Sequence, residues 1–290
     1  MTPGLPFTKM QAVGNDFVVI EEAVWGVDTD YAQTAIRLCD RHKGVGGDGL
    51  LVVCPSEVAD VRMRMFNPDG TEDMCGNGLR CVVRHIVDAT VCPAIGKAQT
   101  LGGVISYQVE NDSITTVHPP PSFAPARIPM NIPDTGRITL FPLVPSSGET
   151  VWVSSLNTGS THTIIWSDSY SPPDEETFLR ISPMVETHSL FPERTSVIWA
   201  FQQEPDSVHI NIWERGVGET LGCGTGAMAV VVAGIEEKRF LSPQVTVWSK
   251  GGKLSVIYDK TQFVGRDNLP TIRLIGEAHT VYSGVVSPAV

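Results

Sequence analysis

The chain has 290 residues, 42% of them hydrophobic and 18% charged, a globular balance that excludes wholesale disorder. Lys+Arg number 21 against Asp+Glu 32, a formal net charge of −11. With no dense basic run, this argues against nucleic acid or anionic lipid as a partner. Residues 1–11 carry no signal-peptide pattern, and the longest apolar run, 227–235, is well short of the ~20 residues a membrane span needs, so a cytoplasmic setting is expected.

Short β-rich runs bounded by Gly, Pro, Asn and Asp predict strands over 17–20, 50–54 and 61–66. Further strands are predicted over 151–155, 163–166, 208–213, 244–248 and 271–275. Helical periodicity predicts a helix over 30–40, with Tyr31, Ala35, Leu38 and Cys39 on one face, and another over 79–87. Residues 227–235 are apolar all round, the pattern of a helix buried on every side. Helices and strands do not alternate regularly, so a doubly wound parallel sheet is disfavoured. The expected class is α+β, with two halves, each a mostly antiparallel sheet curled around one buried helix. Between the halves, residues 118–134 carry Pro119, Pro120, Pro121, Pro125, Pro129 and Pro133, a density that sustains neither helix nor central strand and predicts a semi-rigid connector.

Six cysteines are present: Cys39, Cys54, Cys75, Cys81, Cys92 and Cys223. A chain of this length needs no disulfide staples, and no C-x-x-C pair suggests zinc or thiol–disulfide exchange. Most are expected to be buried as small apolar residues. Cys75 and Cys223 stand apart. The segments Met74-Cys75-Gly76-Asn77-Gly78-Leu79-Arg80 and Gly222-Cys223-Gly224-Thr225-Gly226-Ala227-Met228 each place Cys-Gly-[Asn/Thr]-Gly at the start of a predicted buried helix, one copy per half. A helix N-terminus offers unpaired N–H groups and a positive dipole end, and glycines there let a ligand approach. Such an end binds a carboxylate, and a Cys in that position gains thiolate character. Two of them, one from each half, would hold an amino acid with a sulfur on each face of its α-carbon. One thiolate removes the α-proton and the other thiol returns one, inverting the centre without metal or other cofactor. Two rival motifs fail. Residues 218–225 lack the Gly-Lys-[Ser/Thr] ending of a P-loop. Gly44-Val45-Gly46-Gly47-Asp48-Gly49 matches G-x-G-x-x-G, but a predicted helix precedes it and a strand follows, the reverse of a dinucleotide fingerprint.

With these motifs the sequence resembles the diaminopimelate epimerase family. The resemblance runs through Phe7-Thr8-Lys9-Met10, Gly14-Asn15-Asp16-Phe17, residues 41–49, Phe66-Asn67-Pro68-Asp69-Gly70 and the first cysteine motif. It continues through His188, Phe191-Pro192-Glu193, Trp213-Glu214-Arg215-Gly216-Val217-Gly218-Glu219-Thr220 and the second cysteine motif, over nearly the whole chain. It implies two pseudo-symmetric domains, residues 1–120 with 277–290 and residues 121–276, with the active site in the cleft between them. The segment 279–285 is expected to return to the first domain. The resemblance further implies that Cys75 and Cys223 are the acid/base pair and that His162 and Glu214 orient and polarise the thiols. Amides at Gly76, Asn77, Gly224 and Thr225 hold the reacting carboxylate. Asn15, Asn67 and Arg215 contact the substrate, Arg215 pairing with a distal carboxylate. Without the motif, Arg215 reads as a surface ion pair with Glu214 or Glu219.

Two positions depart from the family pattern: Ser160 and Ser196 stand where Asn is common and where the far end of the substrate is gripped. Serine has one donor where Asn has an amide. The expected activity is interconversion of LL- and meso-2,6-diaminopimelate, serving lysine and peptidoglycan synthesis. The expected partners are a small-molecule amino-acid substrate and a second copy in a homodimer. The alternatives are a racemase of another amino acid, such as histidine, or an inactive amino-acid-binding protein. A hydroxyproline epimerase typically has His where Asn77 stands, and a phenazine-type isomerase lacks the cysteine pair.

Overall fold

The computed structural model describes residues 4–132, 137–167, 169, 171–264 and 269–287. In chain order the first elements are β1 (Leu5–Ala12), β2 (Asn15–Glu21), α1 (Glu22–Trp25), α2 (Tyr31–Cys39), β3 (Gly49–Cys54), β4 (Val61–Phe66), β5 (Glu72–Asp73), α3 (Gly76–Asp88), β6 (Ile95–Thr100), β7 (Gly103–Glu110) and β8 (Ser113–His118). There follow β9 (Ile138–Leu143), β10 (Val151–Asn157), β11 (Thr161–Trp166), α4 (Glu175–Glu186), β12 (Ser196–Glu204), β13 (Ser207–Glu214), β14 (Gly218–Thr220), α5 (Gly224–Glu236), β15 (Gln244–Ser249), β16 (Gly252–Val264), β17 (Leu269–Glu277) and β18 (His279–Val286). The chain divides into two compact units, Met1–Val117 with Ile275–Val290, and His118–Leu274. The fold is α+β. No helix among the described residues is long and apolar enough to cross a membrane.

In the first unit β1 pairs antiparallel with both β2 and β18, so the segment 279–286 does lie in this unit. Val13 and Gly14 make the β1–β2 turn, both at positive φ (52° and 83°), the pattern of the two-residue hairpin turns that match strand twist. β2 and β3 run parallel with α2 crossing between them, β3 and β4 are antiparallel, and β4 and β6 are parallel with α3 between. Each apolar run on these strands is split between two faces by the period of two. Phe17, Val19 and Leu51 pack with Leu79, Val82, Val83 and Ile86 of α3. Val18, Ile20, Leu50 and Val52 pack with Tyr31, Ala35 and Leu38 of α2. Coverage on both faces is why these strands read as continuous hydrophobic runs rather than alternating ones.

The second unit repeats the order. β10 and β11 are antiparallel, β11 and β12 parallel with α4 crossing between, β12 and β13 antiparallel, and β13 and β15 parallel with α5 between. The apolar helix α5 is buried through Ala227–Ala233 and touches β10, β11, β12, β15 and β16. The helix α4 covers the other face through Phe178, Ile181 and Val185. No element is predicted here from the sequence, and the helix holds Pro183. Proline is tolerated here close to the helix end, where Thr187 closes on the Pro183 carbonyl. After His118, which ends β8, the proline-rich stretch forms no strand or α-helix through Ile132, apart from an isolated bridge of Ser122 to Asn157 and a 3₁₀ turn at Pro125–Arg127. It is more firmly packed than a connector, placing Phe123, Ile128 and Met130 in buried positions. Pro133 and Asp134, at its predicted end, lie outside the described residues, as do 1–3 and 288–290.

The last glycine of each cysteine motif is a packing residue. A Cβ built on Gly78 meets Leu51 Cδ2 at 2.7 Å, and one on Gly226 meets Ile198 Cδ1 at 2.9 Å, so α3 and α5 each approach a sheet strand at that point. Gly76 is different: a Cβ there meets nothing within 4 Å. We expect Gly78→Ala to destabilise the protein by about 1–3 kcal/mol through overpacking. Gly76→Ala should stay within about 0.5 kcal/mol of wild type. Chemical denaturation of the two variants side by side checks the contrast; equal losses would mean that Gly78 is not the contact point.

Candidate active site

The helices α2 and α4 are capped by aspartate. Asp30 accepts from Gln33 N–H at 3.1 Å on α2, and Asp174 from Thr177 N–H at 2.8 Å on α4. The two buried helices are capped by cysteine, which is not a preferred N-cap. Cys75 Sγ accepts from Gly78 N–H at 3.3 Å, and Cys223 Sγ from Gly226 N–H at 3.4 Å. Their backbones nearly coincide in conformation, φ −136°, ψ 116° for Cys75 and φ −135°, ψ 113° for Cys223. Each sulfur therefore sits at the positive end of a helix, where a thiolate is favoured. All six cysteines carry free thiols. Burial drives Cys39 and Cys54 up to about 12 and Cys81 higher still, so these are inert apolar residues.

In the first unit the sequence-predicted residues Asn15 and Asn77 meet. Asn77 Nδ2 donates to Asn15 Oδ1 at 2.5 Å, and Asn15 Nδ2 donates to Asp48 Oδ2 at 3.1 Å. Arg80 Nη2 donates to Asn77 Oδ1 at 2.6 Å. Beyond Asp48 lies a set of ion pairs, Arg41 with Asp48 at 2.7 Å, Arg41 with Asp16 at 2.6 Å and Lys9 with Asp16 at 2.7 Å. Burial works to raise the Asp16 carboxyl, but hydrogen bonds and charge from Arg41 and Lys9 outweigh it and bring it down to about 2. Asn67 is not joined to this group by a hydrogen bond. It organises the 67–71 turn, its Nδ2 donating to Thr71 Oγ1 at 3.0 Å and its carbonyl accepting from Gly70 N–H.

In the second unit Thr225 Oγ1 lies 3.4 Å from Cys223 Sγ, and the Thr225 carbonyl accepts from Thr158 Oγ1 at 2.9 Å. This ties the helix end to the loop that carries Ser160, whose carbonyl accepts from Thr158 N–H. His162 on β11 stands opposite Ser196 on β12 in the parallel register. Ser196 Oγ accepts from Arg215 N–H at 3.1 Å, and Arg215 Nη1 donates to the Glu193 carbonyl at 3.1 Å. Glu219 is engaged by Lys250 rather than by Arg215. Glu214 accepts from Thr220 Oγ1 at 2.6 Å. Sequence reasoning assigned no role to Thr158 or to Thr220, although Thr220 closes the 213–220 motif. It also missed Glu186, a buried carboxylate accepting from Trp213 Nε1 at 2.7 Å and Gly216 N–H at 2.8 Å, which holds the turn bearing Glu214 and Arg215. Arg80 was visible only as a charge flush with the apolar face of its helix.

His162 is fully enclosed, and neither ring nitrogen has a hydrogen-bond partner. Burial, and secondarily the Arg215 charge, push it down to about 3, so the ring is neutral at physiological pH. The unfolded chain titrates this group near 6.5. Between the two values the unfolded state binds more protons, so stability is lost as pH falls below about 6.5 and is untouched above it. We expect His162→Gln to flatten this acid limb: from about pH 7.5 to about pH 5, wild-type Tm should fall further than the variant's. Parallel slopes would mean that His162 protonates freely in the fold.

The family model for diaminopimelate epimerase matches residues 7–119 and 154–268, one segment in each unit. A diaminopimelate epimerase from Caldanaerobacter subterraneus subsp. tengcongensis is 40% identical over 97% of this chain and 98% of its own length. One from Pelotomaculum thermopropionicum is 36% identical over 96% and 97%. Among solved structures, a PhzF-family phenazine biosynthesis protein from Bacillus anthracis has a TM-score of 0.68 at 18% identity, covering 99% of this chain and 100% of that one. A hydroxyproline epimerase from Agrobacterium vitis has a TM-score of 0.66 at 14% identity, covering 97% and 90%. These two likenesses speak to the fold alone. The sequence matches do more: spanning both cysteine-capped helices, they establish that the chain belongs to the diaminopimelate epimerase family and is an isomerase of the epimerase class.

Proposed function

We propose that the chain interconverts LL- and meso-2,6-diaminopimelate without a cofactor, by a two-base mechanism carried by Cys75 and Cys223. The observation that carries the reading is the matched pair of sulfur-capped helix ends, one in each unit. The substrate follows from the relatives, which are named for it. In this reading the backbone N–H groups at Gly76, Asn77, Gly224 and Thr225 bind the reacting carboxylate. One thiolate takes the α-proton, and the negative charge that develops next to that carboxylate is met by fixed N–H dipoles. The other thiol delivers its proton to the opposite face. The two sulfurs have then exchanged protonation states, and the reverse reaction starts from that arrangement with no outside proton source. Neutral His162 and the Glu214 carboxylate orient the second thiol. Arg215 takes the distal carboxylate in a bidentate fork, with Asn15 and Asn67 as further contacts. The reading carries with it a cytoplasmic setting, a homodimer, and a role in lysine and peptidoglycan synthesis.

A second reading, racemisation of a different amino acid such as histidine, is favoured by one observation. The Ser196 hydroxyl accepts from Arg215 N–H, so it serves the protein's own turn at a position where the family commonly has a substrate-gripping Asn. Ser160 is likewise shorter than Asn. The distal pocket is thus the part of the site where this chain differs from the family.

The decisive measurement is α-proton exchange in D₂O, followed by NMR with chiral separation of products, on LL-diaminopimelate and in parallel on L-histidine and other L-amino acids. Exchange with meso product from diaminopimelate is expected; exchange from another amino acid alone would transfer the assignment to the second reading, and none at all would favour an inactive binding protein. Cys75→Ala and Cys223→Ala should each lose about 10²–10⁴-fold or more in epimerisation with the fold retained. Wild-type turnover in either would end the two-base reading. Arg215→Lys should raise KM for a dicarboxylate substrate through loss of the fork, and an unchanged KM would show that Arg215 does not meet it.

A further inference from the structure

The two cysteine-capped helices share a backbone but not an electrostatic setting. Five residues after Cys75 comes Arg80, entirely removed from solvent. Its guanidinium donates to Asn77 Oδ1 at 2.6 Å and to the carbonyl of Gly76, the residue after the cysteine, at 3.5 Å; its Nε has no partner. Among the described residues no carboxylate pairs with it. A buried cation held by neutral acceptors alone is costly, and replacing such charges with apolar groups is often neutral or stabilising. At the matching place after Cys223 the chain has Met228, fully buried and apolar.

We propose that Arg80 is a positioning residue of the first half-site, which locks the Asn77 amide and favours the thiolate of Cys75, so that the resting enzyme keeps Cys75 as base and Cys223 as acid. This rests on the two-base reading given above. The surroundings leave Arg80 as the uncompensated charge. Around α3 the paired charges among the described residues are Lys9 and Arg41 with Asp16 and Asp48, Arg64 with Glu72, and Glu21 with His85 of the helix itself, while Arg62 of β4, Lys97 of β6 and Glu110 of β7 are exposed to solvent. Farther along α3, Arg84 pairs with Asp88. Before the cysteine, Asp73 accepts from Met74 N–H. The groups that act on the Arg80 charge are the thiols of Cys81 and Cys75, and burial lowers the guanidinium only to about 10, which leaves it charged. The second unit has neutral His162, the Glu214 carboxylate held by Thr220 and the exposed Arg215, and among its described residues no Lys or Arg is buried. The Asn77 amide is fixed in the same act. Its oxygen is taken by Arg80, so its nitrogen must face Asn15.

The test is peptide-resolved alkylation with iodoacetamide across a pH series, which reads both thiols without turnover. In the wild-type protein the Cys75 midpoint is expected below that of Cys223 by about one pH unit or more. Arg80→Met, which copies the residue at position 228, should raise the Cys75 midpoint to near that of Cys223 and leave Cys223 where it was. Arg80→Lys should keep the Cys75 midpoint low. Coincident or reversed midpoints in the wild type overturn the proposal, and this comparison stands even if Arg80→Met fails to fold. An unmoved Cys75 midpoint in folded Arg80→Met, with only Tm changed, overturns it as well and returns Arg80 to a structural role. Failure to epimerise diaminopimelate would count against the substrate assignment and leave the alkylation result intact.

Discussion

The first N–H groups of a helix find no acceptor within it, and in α3 and α5 the residue that caps them is a cysteine, half-buried at Cys75 and buried at Cys223. Elsewhere in the same molecule aspartate satisfies such groups with a full charge. At α3 and α5 the chain uses sulfur, a weak acceptor, and so keeps much of the positive potential of the helix end for something else. The rest of each unit can be read as the means of holding that end in place. The sheet folds over the helix, a glycine at its first turn lets it seat against Leu51 or Ile198, and a flanking helix closes the outer face. A ligand carboxylate and a thiolate are the two anions that such an end accommodates.

Repetition of the skeleton does not make the halves equivalent. In the first unit, the polar chain from Arg80 through Asn77 and Asn15 to the Asp48–Arg41–Asp16–Lys9 group ties the helix end to the β1–β2 hairpin. In the second, the corresponding ties are made by hydroxyls and main chain, Thr158 to Thr225 and Ser196 to Arg215, around a histidine kept neutral by its enclosure. In the first half the helix end is tied by a buried cation, in the second by neutral groups, with the buried carboxylate of Glu186 holding the turn that bears Glu214 and Arg215. An epimerase, which must act on both configurations of one carbon, is therefore built from two unlike environments on a common frame.

Strands such as the apolar run at 50–54 and the alternating one at 61–66, each between turn residues, were legible from composition and pattern, and the cysteine-glycine repeat located both central helices. The missing pieces have physical reasons. The helix α4 has an aspartate cap and apolar residues at Phe178, Ile181 and Val185, but Pro183 stands inside it, and a proline in a sequence gives no sign that it falls in a last turn. The strand β12 is apolar on both faces, and without alternation it offers no period to detect. The proline-rich segment was recognised as irregular, yet the burial of Phe123, Ile128 and Met130 depends on tertiary packing that irregular backbone does not advertise. The same holds in the site. Residue types at the helix ends could be read directly, whereas an enclosed arginine and a carboxylate under a turn are visible only once neighbours distant in sequence are brought together.

The pairing of β1 with β18 gives the chain an unusual schedule on the ribosome. The second unit is an insertion between the body of the first unit and its closing strand, with all its own elements contiguous in sequence. It can condense as soon as it emerges. The first unit starts earlier but finishes later, since Leu5 and its neighbours must wait for Val286 and its neighbours before β1 gains its second partner. Until then an edge of the sheet around α3 stays uncovered, and with it the completed surroundings of one of the two thiols. Synthesis thus orders the assembly of the site: the half bearing Cys223 is finished first, and the half bearing Cys75 is sealed by one of the last strands to appear.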